Sequence, residues 1–219
     1  MKNDNTINRR QEKTDIPAYL ERNREIIIKG GTLSVMFSGV GGQGIILAST
    51  VLARATTVEG YDVKVSEVHG MAQRGGSLVG SVRFGRKVNS PIIDKADIII
   101  ALEKLESARY LDLLKPDGFL LINDYEIVPG SVYLGDRKYP ADINSRIGEV
   151  TSGYKLINAT EIAVGLGEIR ASNMVLMGSL SRFLPIKLKS WQTAISELIA
   201  ERFLGININA FDKGREIIK

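Results

Sequence analysis

From Thr32 onward, short unbroken apolar runs alternate with longer stretches in which apolar residues recur at helical spacing. TLSVMFS (Thr32–Ser38) predicts a buried strand, and Gly39–Gly44 follows as a tight loop. Ile45, Leu47, Ala48, Val51, Leu52 and Ala55 then mark one face of a helix over Ile45–Val58, stopped at Gly60. Val63 and Val65 alternate with polar neighbours in a second strand, Tyr61–Val68. HGMAQRGG (His69–Gly76) has loop composition. Ser77–Phe84 reads as a further strand, with a hairpin-like turn at Gly85. ADIIIAL (Ala96–Leu102) predicts a buried strand, and Glu103–Leu114 an amphipathic helix ended by Pro116 and Gly118. FLLI (Phe119–Ile122) is another buried strand. Asp124–Gly153 is poorly periodic and is expected to hold one or two short strands before the last sheet strand, Tyr154–Asn158. Helices are expected at Glu161–Val164, Ser172–Phe183, Ser190–Phe203 and Asn207–Ile218, with Pro185 parting the second from the third.

Strands that alternate with helices imply an α/β fold whose mostly parallel sheet is covered on both faces. The strand after His69–Gly76, standing where a helix would, predicts a mixed sheet. Ahead of this body, residues 1–14 carry too little apolar surface to offset ordering entropy and are expected to be disordered. Ile16–Ile28, with Leu20, Ile26 and Ile27, predicts a short helix. We therefore divide the chain into an N-terminal extension, 1–30, and one domain, 31–219.

Composition narrows the chemistry. The 219 residues are 44% hydrophobic but only 6% aromatic, so the core is expected to be aliphatic. With no cysteine, disulfides and thiolate ligation of zinc or iron–sulfur clusters are excluded. The single histidine, His69, argues against a histidine metal site, and none is assigned. The net charge of +4 is spread along the chain, enough to attract phosphates or an acidic partner but not nucleic acid. The N-terminus lacks a signal peptide's apolar core, and no segment has the length of a membrane span. A soluble cytoplasmic protein with no membrane contact is the expectation.

Gly39-Val40-Gly41-Gly42-Gln43-Gly44 fits G-x-G-x-x-G at Gly39, Gly41 and Gly44, behind a predicted strand and ahead of a predicted helix. Glycine lets the main chain approach a phosphate, and a helix start offers unpaired N–H groups. Glu67 stands where a dinucleotide fold keeps its acidic residue, but a loop and strand follow where that fold has a helix. A dinucleotide, another phosphate-bearing group, or a purely structural turn all remain open.

Glu67, His69, Gln73 and Arg74 cluster at a strand end, where α/β sheets bind ligands. His69 can trade protons near neutral pH, Arg74 can grip a phosphate or carboxylate, and Gly75-Gly76 permits close backbone approach. A solvated surface loop is the bland alternative, and no nucleophile–base set is visible. Arg83, Arg86 and Lys87 read as a solvated hairpin tip. Glu103 and Glu106 read as an exposed helix face. Asn173, Met174, Met177 and Gly178 read as core or interface packing.

FSGVGGQGIILAS (Phe37–Ser49) and VKVSEVHGMAQRGGSLVGSVRFG (Val63–Gly85) resemble the gamma subunit, or gamma domain, of 2-oxoacid:ferredoxin oxidoreductases. EVHGMAQRGG (Glu67–Gly76) is most similar to the beta subunit of indolepyruvate ferredoxin oxidoreductase. The likeness runs from about Leu33 to Phe203, through ADIIIALEKLESARYLDLLKPDGFLLIN (Ala96–Asn123). It implies a Rossmann-like three-layer sandwich within an assembly that oxidises 2-oxoacids to acyl-CoA and passes electrons to ferredoxin. Thiamine diphosphate and the iron–sulfur clusters would lie on a catalytic partner subunit, with coenzyme A as a candidate ligand at the junction. Gly39, Gly41, Gly42, Gln43 and Gly44 would form a backbone platform for a phosphate-bearing group, beside Glu67, Gly75 and Gly76. Arg74 would grip an anion, and His69 and Gln73 would hydrogen-bond at the subunit junction.

Two other functions compete. A stand-alone nucleotide-binding protein would bind nucleotide without a partner, and a purely structural subunit would bind nothing. Since proteins rarely leave large apolar patches uncovered, an isolated chain is expected to form a homodimer.

Overall fold

A computed structural model of the chain describes residues 16–68, 76–128 and 138–218, with 67 and 68 described in backbone alone. The described residues form one six-stranded sheet and eight α-helices. In chain order these are α1 (Ile16–Ile28), β1 (Thr32–Val40), α2 (Ile45–Glu59), β2 (Asp62–Val68), β3 (Ser77–Gly85), β4 (Ala96–Ala101) and α3 (Lys104–Arg109). They continue with β5 (Leu114–Asn123), α4 (Ile143–Val150), β6 (Tyr154–Ile157), α5 (Ala159–Gly165), α6 (Ser172–Leu180), α7 (Leu188–Leu198) and α8 (Glu201–Ile217). The strand order is β2-β3-β1-β4-β5-β6. β3 runs antiparallel to both its neighbours, and the other pairs, β1–β4, β4–β5 and β5–β6, are parallel. The sheet is mixed, as the strand predicted after His69–Gly76 implies.

Both faces are covered, which is why the inner strands read as unbroken apolar runs. Leu33, Val35 and Phe37 of β1, Ile98 and Ile100 of β4, and Phe119 and Leu121 of β5 pack beneath α2 and α5–α8. Met36, Ile99, Leu120 and Ile122 point the other way, against Leu111, Ile143 and Ile147. Each such fully buried side chain contributes roughly 1.5–3 kcal/mol, so these three strands fix the domain. Every residue of α6 from Asn173 to Leu180 is buried, so α6 is enclosed on all sides at the centre of the thicker layer.

Four features differ from the sequence reading. The helix predicted over Glu103–Leu114 ends at Arg109 and tightens into a 3-10 turn, Leu111–Leu113. β5 begins at Leu114, because Ala96 pairs with Leu114 and Ile98 with Phe119, so residues 115–118 loop out opposite Asp97. Between 124 and 153 the described residues hold no strand but the helix α4, whose buried Ile143 and Ile147 lie one turn apart. The helix predicted over Ser190–Phe203 is two, since Ile199 and Ala200 take extended backbone angles between α7 and α8.

α1 packs against the sheet end that carries the starts of β4 and β5. Tyr19 stacks edge-on against Phe119 at 4.9 Å, and Asn23 donates to the Phe183 carbonyl at 2.8 Å. Arg22 reaches the buried Asp97 at 3.1 Å and Asp117 at 2.8 Å. Asp97 also takes Lys115 Nζ at 2.9 Å and the Ser34 amide at 2.9 Å, so its charge is compensated on every side. The tail expected to be disordered, 1–14, lies outside the described residues.

Candidate functional site

The glycine loop joins the C-terminal end of β1 to α2. Gly39 and Val40 close the strand, Gly41 and Gly42 turn, and Gly44 caps the helix. Gly42 (φ 108°) and Gly44 (φ 80°) are left-handed, which a side chain would resist. Gln43 is not free to serve a ligand with its side chain. Its Oε1 accepts from the Val40 amide at 2.7 Å and its Nε2 donates to the Leu102 carbonyl at 2.8 Å, tying the loop to the end of β4. A Cβ on Gly39 would sit 2.8 Å from that Oε1.

α2 has no side-chain cap. Ala48 is its first amide to be paired, to Gly44 O at 3.0 Å, leaving those of Ile45, Ile46 and Leu47 without a partner among the described residues. Beneath them stands Asn173 at the head of α6. It is 3% exposed, and its Nδ2 donates to Gly44 O at 3.3 Å. Its Oδ1 is buried without a donor, an exception among buried polar atoms. The packing read for Asn173 is present, and this open acceptor adds to it.

The second sequence segment meets the first. Because β3 returns antiparallel beside β1, Ser77 lies opposite Val40, and Gly41 N donates to Gly76 O at 2.9 Å. Glu67 pairs with Gly80 in the β2–β3 ladder, which places its backbone at the same sheet end. His69, Gln73, Arg74 and Gly75, with the Glu67 side chain, lie outside the described residues. β3 pairs antiparallel with β2, where a dinucleotide-binding unit has a parallel neighbour, so the fold departs here from that unit.

Two carboxylates stand behind Ser77, and neither is exposed: Glu103 is 1% and Glu106 4% accessible. The exposed helix face expected for them is thus wrong. Glu103 caps α3 through the Glu106 amide at 2.9 Å and accepts from Tyr139 Oη at 2.7 Å and the Ile127 amide at 3.1 Å. Burial, together with the Glu103 carboxylate, pushes the Tyr139 phenol well above its usual range, so it stays a donor. Glu106 accepts from Ser77 Oγ and, at 3.2 Å, from Arg109 Nε, while Tyr110 Oη lies 2.9 Å from the same hydroxyl. This group anchors the start of β3, directly after Gly76. Sequence reasoning missed Ser77, Tyr110 and Tyr139. The one local signal was a glutamate three residues before another at a helix start, the spacing at which Glu103 caps α3. The basic tip is corrected at Arg83, which spends Nη1 on the Ser90 and Ile92 carbonyls, each at 2.8 Å, whereas Arg86 and Lys87 are exposed as read.

Beside the first turn of α2 opens a cleft of about 240 Å³ whose walls include Leu47, Leu198 and Phe203, with Glu168 and Arg170 at its rim. Arg170 holds the Glu168 carboxyl low, near about 2. Ile46 and Ile169 are exposed on the same helices and turn.

Over residues 34–217 the chain matches one family, pyruvate ferredoxin/flavodoxin oxidoreductase. It belongs to that family. The indolepyruvate oxidoreductase subunit IorB of Archaeoglobus fulgidus is 38% identical over 189 residues, 83% of this chain and 93% of that protein. A keto/oxoacid ferredoxin oxidoreductase gamma subunit from Geobacter sulfurreducens PCA superposes with a TM-score of 0.63 at 25% identity, covering 85% of this chain and 95% of that one. The 2-oxoglutarate:ferredoxin oxidoreductase of Magnetococcus marinus, solved with 2-oxoglutarate, coenzyme A and succinyl-CoA bound, superposes at 0.68 and 24% identity. It covers 85% of this chain and 31% of that one, and shares the fold. The gamma-type oxidoreductase subunit and the α/β sandwich expected from the sequence both stand. An iron–sulfur cluster does not fit a family member without cysteine, and the described residues hold no group of three or more His, Asp or Glu suited to a metal. No helix among them is long and apolar enough to cross a membrane.

Proposed function

We propose that this chain is the small subunit of a cytoplasmic 2-oxoacid:ferredoxin oxidoreductase of the indolepyruvate type, and that its glycine loop carries a phosphate-bearing group at the junction with the catalytic subunit. The observation that carries the reading is the bond from Gly41 N to Gly76 O, which brings the glycine loop and the Glu67–Gly76 segment to one sheet end. Gly39, Gly41, Gly42 and Gly44 form the platform, and the amides of Ile45, Ile46 and Leu47 face the anion. Coenzyme A suits the donors present, because its phosphates need N–H groups. Arg74 is the anion grip, and His69 and Gln73 supply hydrogen bonds to the partner. Thiamine diphosphate and the clusters belong to that partner, which hands electrons to ferredoxin. Aryl pyruvate as substrate is supported by the relatives' names. The exposed Ile46 and Ile169 offer apolar surface for the partner, or for a second copy when it is missing.

The test is co-expression with the thiamine-binding subunit and an assay of 2-oxoacid-dependent reduction of a low-potential acceptor. Activity is expected only in the pair, with indolepyruvate preferred to pyruvate. Arg74→Ala should cut turnover by about tenfold or more, as expected for a lost charged contact, while the purified chain unfolds at the wild-type temperature. Unchanged turnover removes Arg74 from the site. Nucleotide binding by the lone chain, with no complex formed, returns the stand-alone reading.

A further inference from the structure

α2 runs from the glycine loop to the opposite end of the sheet, where Glu59 closes it roughly 22 Å from Gly44 at 1.5 Å per residue. There a second cleft, of about 320 Å³, opens between α1, the connection from α6 to α7, and the end of α8. Four cationic side chains line it, Arg24, Arg182, Lys187 and Arg215, against the carboxylate of Glu59 alone.

That carboxylate is already used. Glu59 accepts from Ser190 Oγ at 2.6 Å, from the Lys187 amide at 3.1 Å and from Lys187 Nζ at 3.0 Å. Arg24 has Glu21 at 3.5 Å, an exposed pair worth little. Arg182 and Arg215 have no carboxylate within salt-bridge distance among the described residues. Each is tethered by a neutral group instead. Arg215 Nη1 donates to Ser181 Oγ at 2.6 Å, and Arg182 Nε to Ile218 O at 3.1 Å. The tethers hold two guanidiniums near each other on a partly buried wall. Burial and then the Arg182 charge draw the Arg215 guanidinium below its usual range, against a weaker pull from Asp212. Like charges held near each other favour an anion between them, and guanidinium forks match phosphate oxygens.

We propose that this cleft is a phosphate-binding site, separate from the glycine loop, which takes the phosphate group of a small molecule between Arg182, Arg215 and Arg24. Leu20, Leu184 and Ile186 give it apolar wall beyond the space of a bare phosphate. Leu20 and Arg24 come from α1, which precedes residue 34 and so stands outside the matched family region. The inference does not depend on the function proposed for the glycine loop.

The experiment is calorimetric titration of the full chain with sodium phosphate and with ribose 5-phosphate, against sodium chloride at matched ionic strength. Both phosphates should bind where chloride does not, and Arg182→Gln should weaken each by about tenfold or more. Arg24→Gln should weaken them too. Tighter binding of the ester than of the free ion marks an organic phosphate as the ligand, and equal binding marks the ion. Arg215→Gln loses the Ser181 contact as well, so the exposed Arg182 and Arg24 decide the matter. Phosphate heats equal to those of chloride, or binding unaltered in both Arg182→Gln and Arg24→Gln, overturn the site.

Discussion

At Gly44 a left-handed backbone, a helix start and the Asn173 side chain meet. A Cβ there would run into Asn173 Nδ2, whereas the same atom on Gly42 meets nothing within 4 Å. Both residues have positive φ, so both alanine variants carry a backbone cost of about 1–3 kcal/mol. Gly44→Ala must also displace Asn173, and should lower stability in urea unfolding by more than Gly42→Ala does. Equal losses would mean that Asn173 yields freely and plays no part in holding the loop. The glycines of this loop were legible in the sequence because a motif of local spacing carries them. Glu103 and Glu106 were not. Charged residues near a helix start are usually solvated, and these two are buried only because Tyr139 and Ser77 arrive from 36 and 29 residues away.

α6 and α8 cross where each has a glycine. A Cβ on Gly178 would enter the Phe211 carbonyl, and one on Gly214 the Val175 carbonyl. Ser179 Oγ closes the contact on Gly214 O at 2.9 Å. No side chain can yield at these points, since backbone faces backbone. Gly214→Ala should therefore destabilise by about 1–3 kcal/mol through forced helix separation. Gly205, in the same helix, has open space around its missing Cβ, so Gly205→Ala should stabilise by about 0.5–1 kcal/mol through propensity. Thermal unfolding of the two variants tests the sign directly; a shift in one direction for both would refute the close crossing. The sequence identified Gly178 as a packing residue because it sits among Met and Leu. Its counterpart on α8 was invisible, as was the break at Ile199-Ala200, where no proline or glycine marks the change to extended backbone.

The two proposed sites lie at opposite poles of the molecule, joined by α2 and α6. Alternation of strands and helices was enough to read a mixed, doubly covered sheet. The meeting of the two signature segments needed the order β2-β3-β1, which no local pattern states. At the opposite pole, α1 depends on charge as well as on Tyr19. The Arg22 hydrogen bond, assisted by the Arg22 charge, holds the Asp117 carboxyl below its ordinary value near about 4. A carboxyl depressed in the folded state stabilises fully above the unfolded value and loses that contribution as pH falls through the folded one. Asp117 is 67% exposed, so solvent screens the pair and the loss should be local to α1, not global. Hydrogen exchange of the α1 amides, corrected for intrinsic rates, should show less protection at about pH 3 than at about pH 6, while β4 and β5 stay protected. Asp117→Asn removes the titrating group. Its α1 should be less protected than the wild type already at about pH 6, and should change little as the pH falls to about 3. Identical α1 protection in the two proteins at both pH values would leave Tyr19 and Asn23, not the Arg22 pairing, as what fastens the helix.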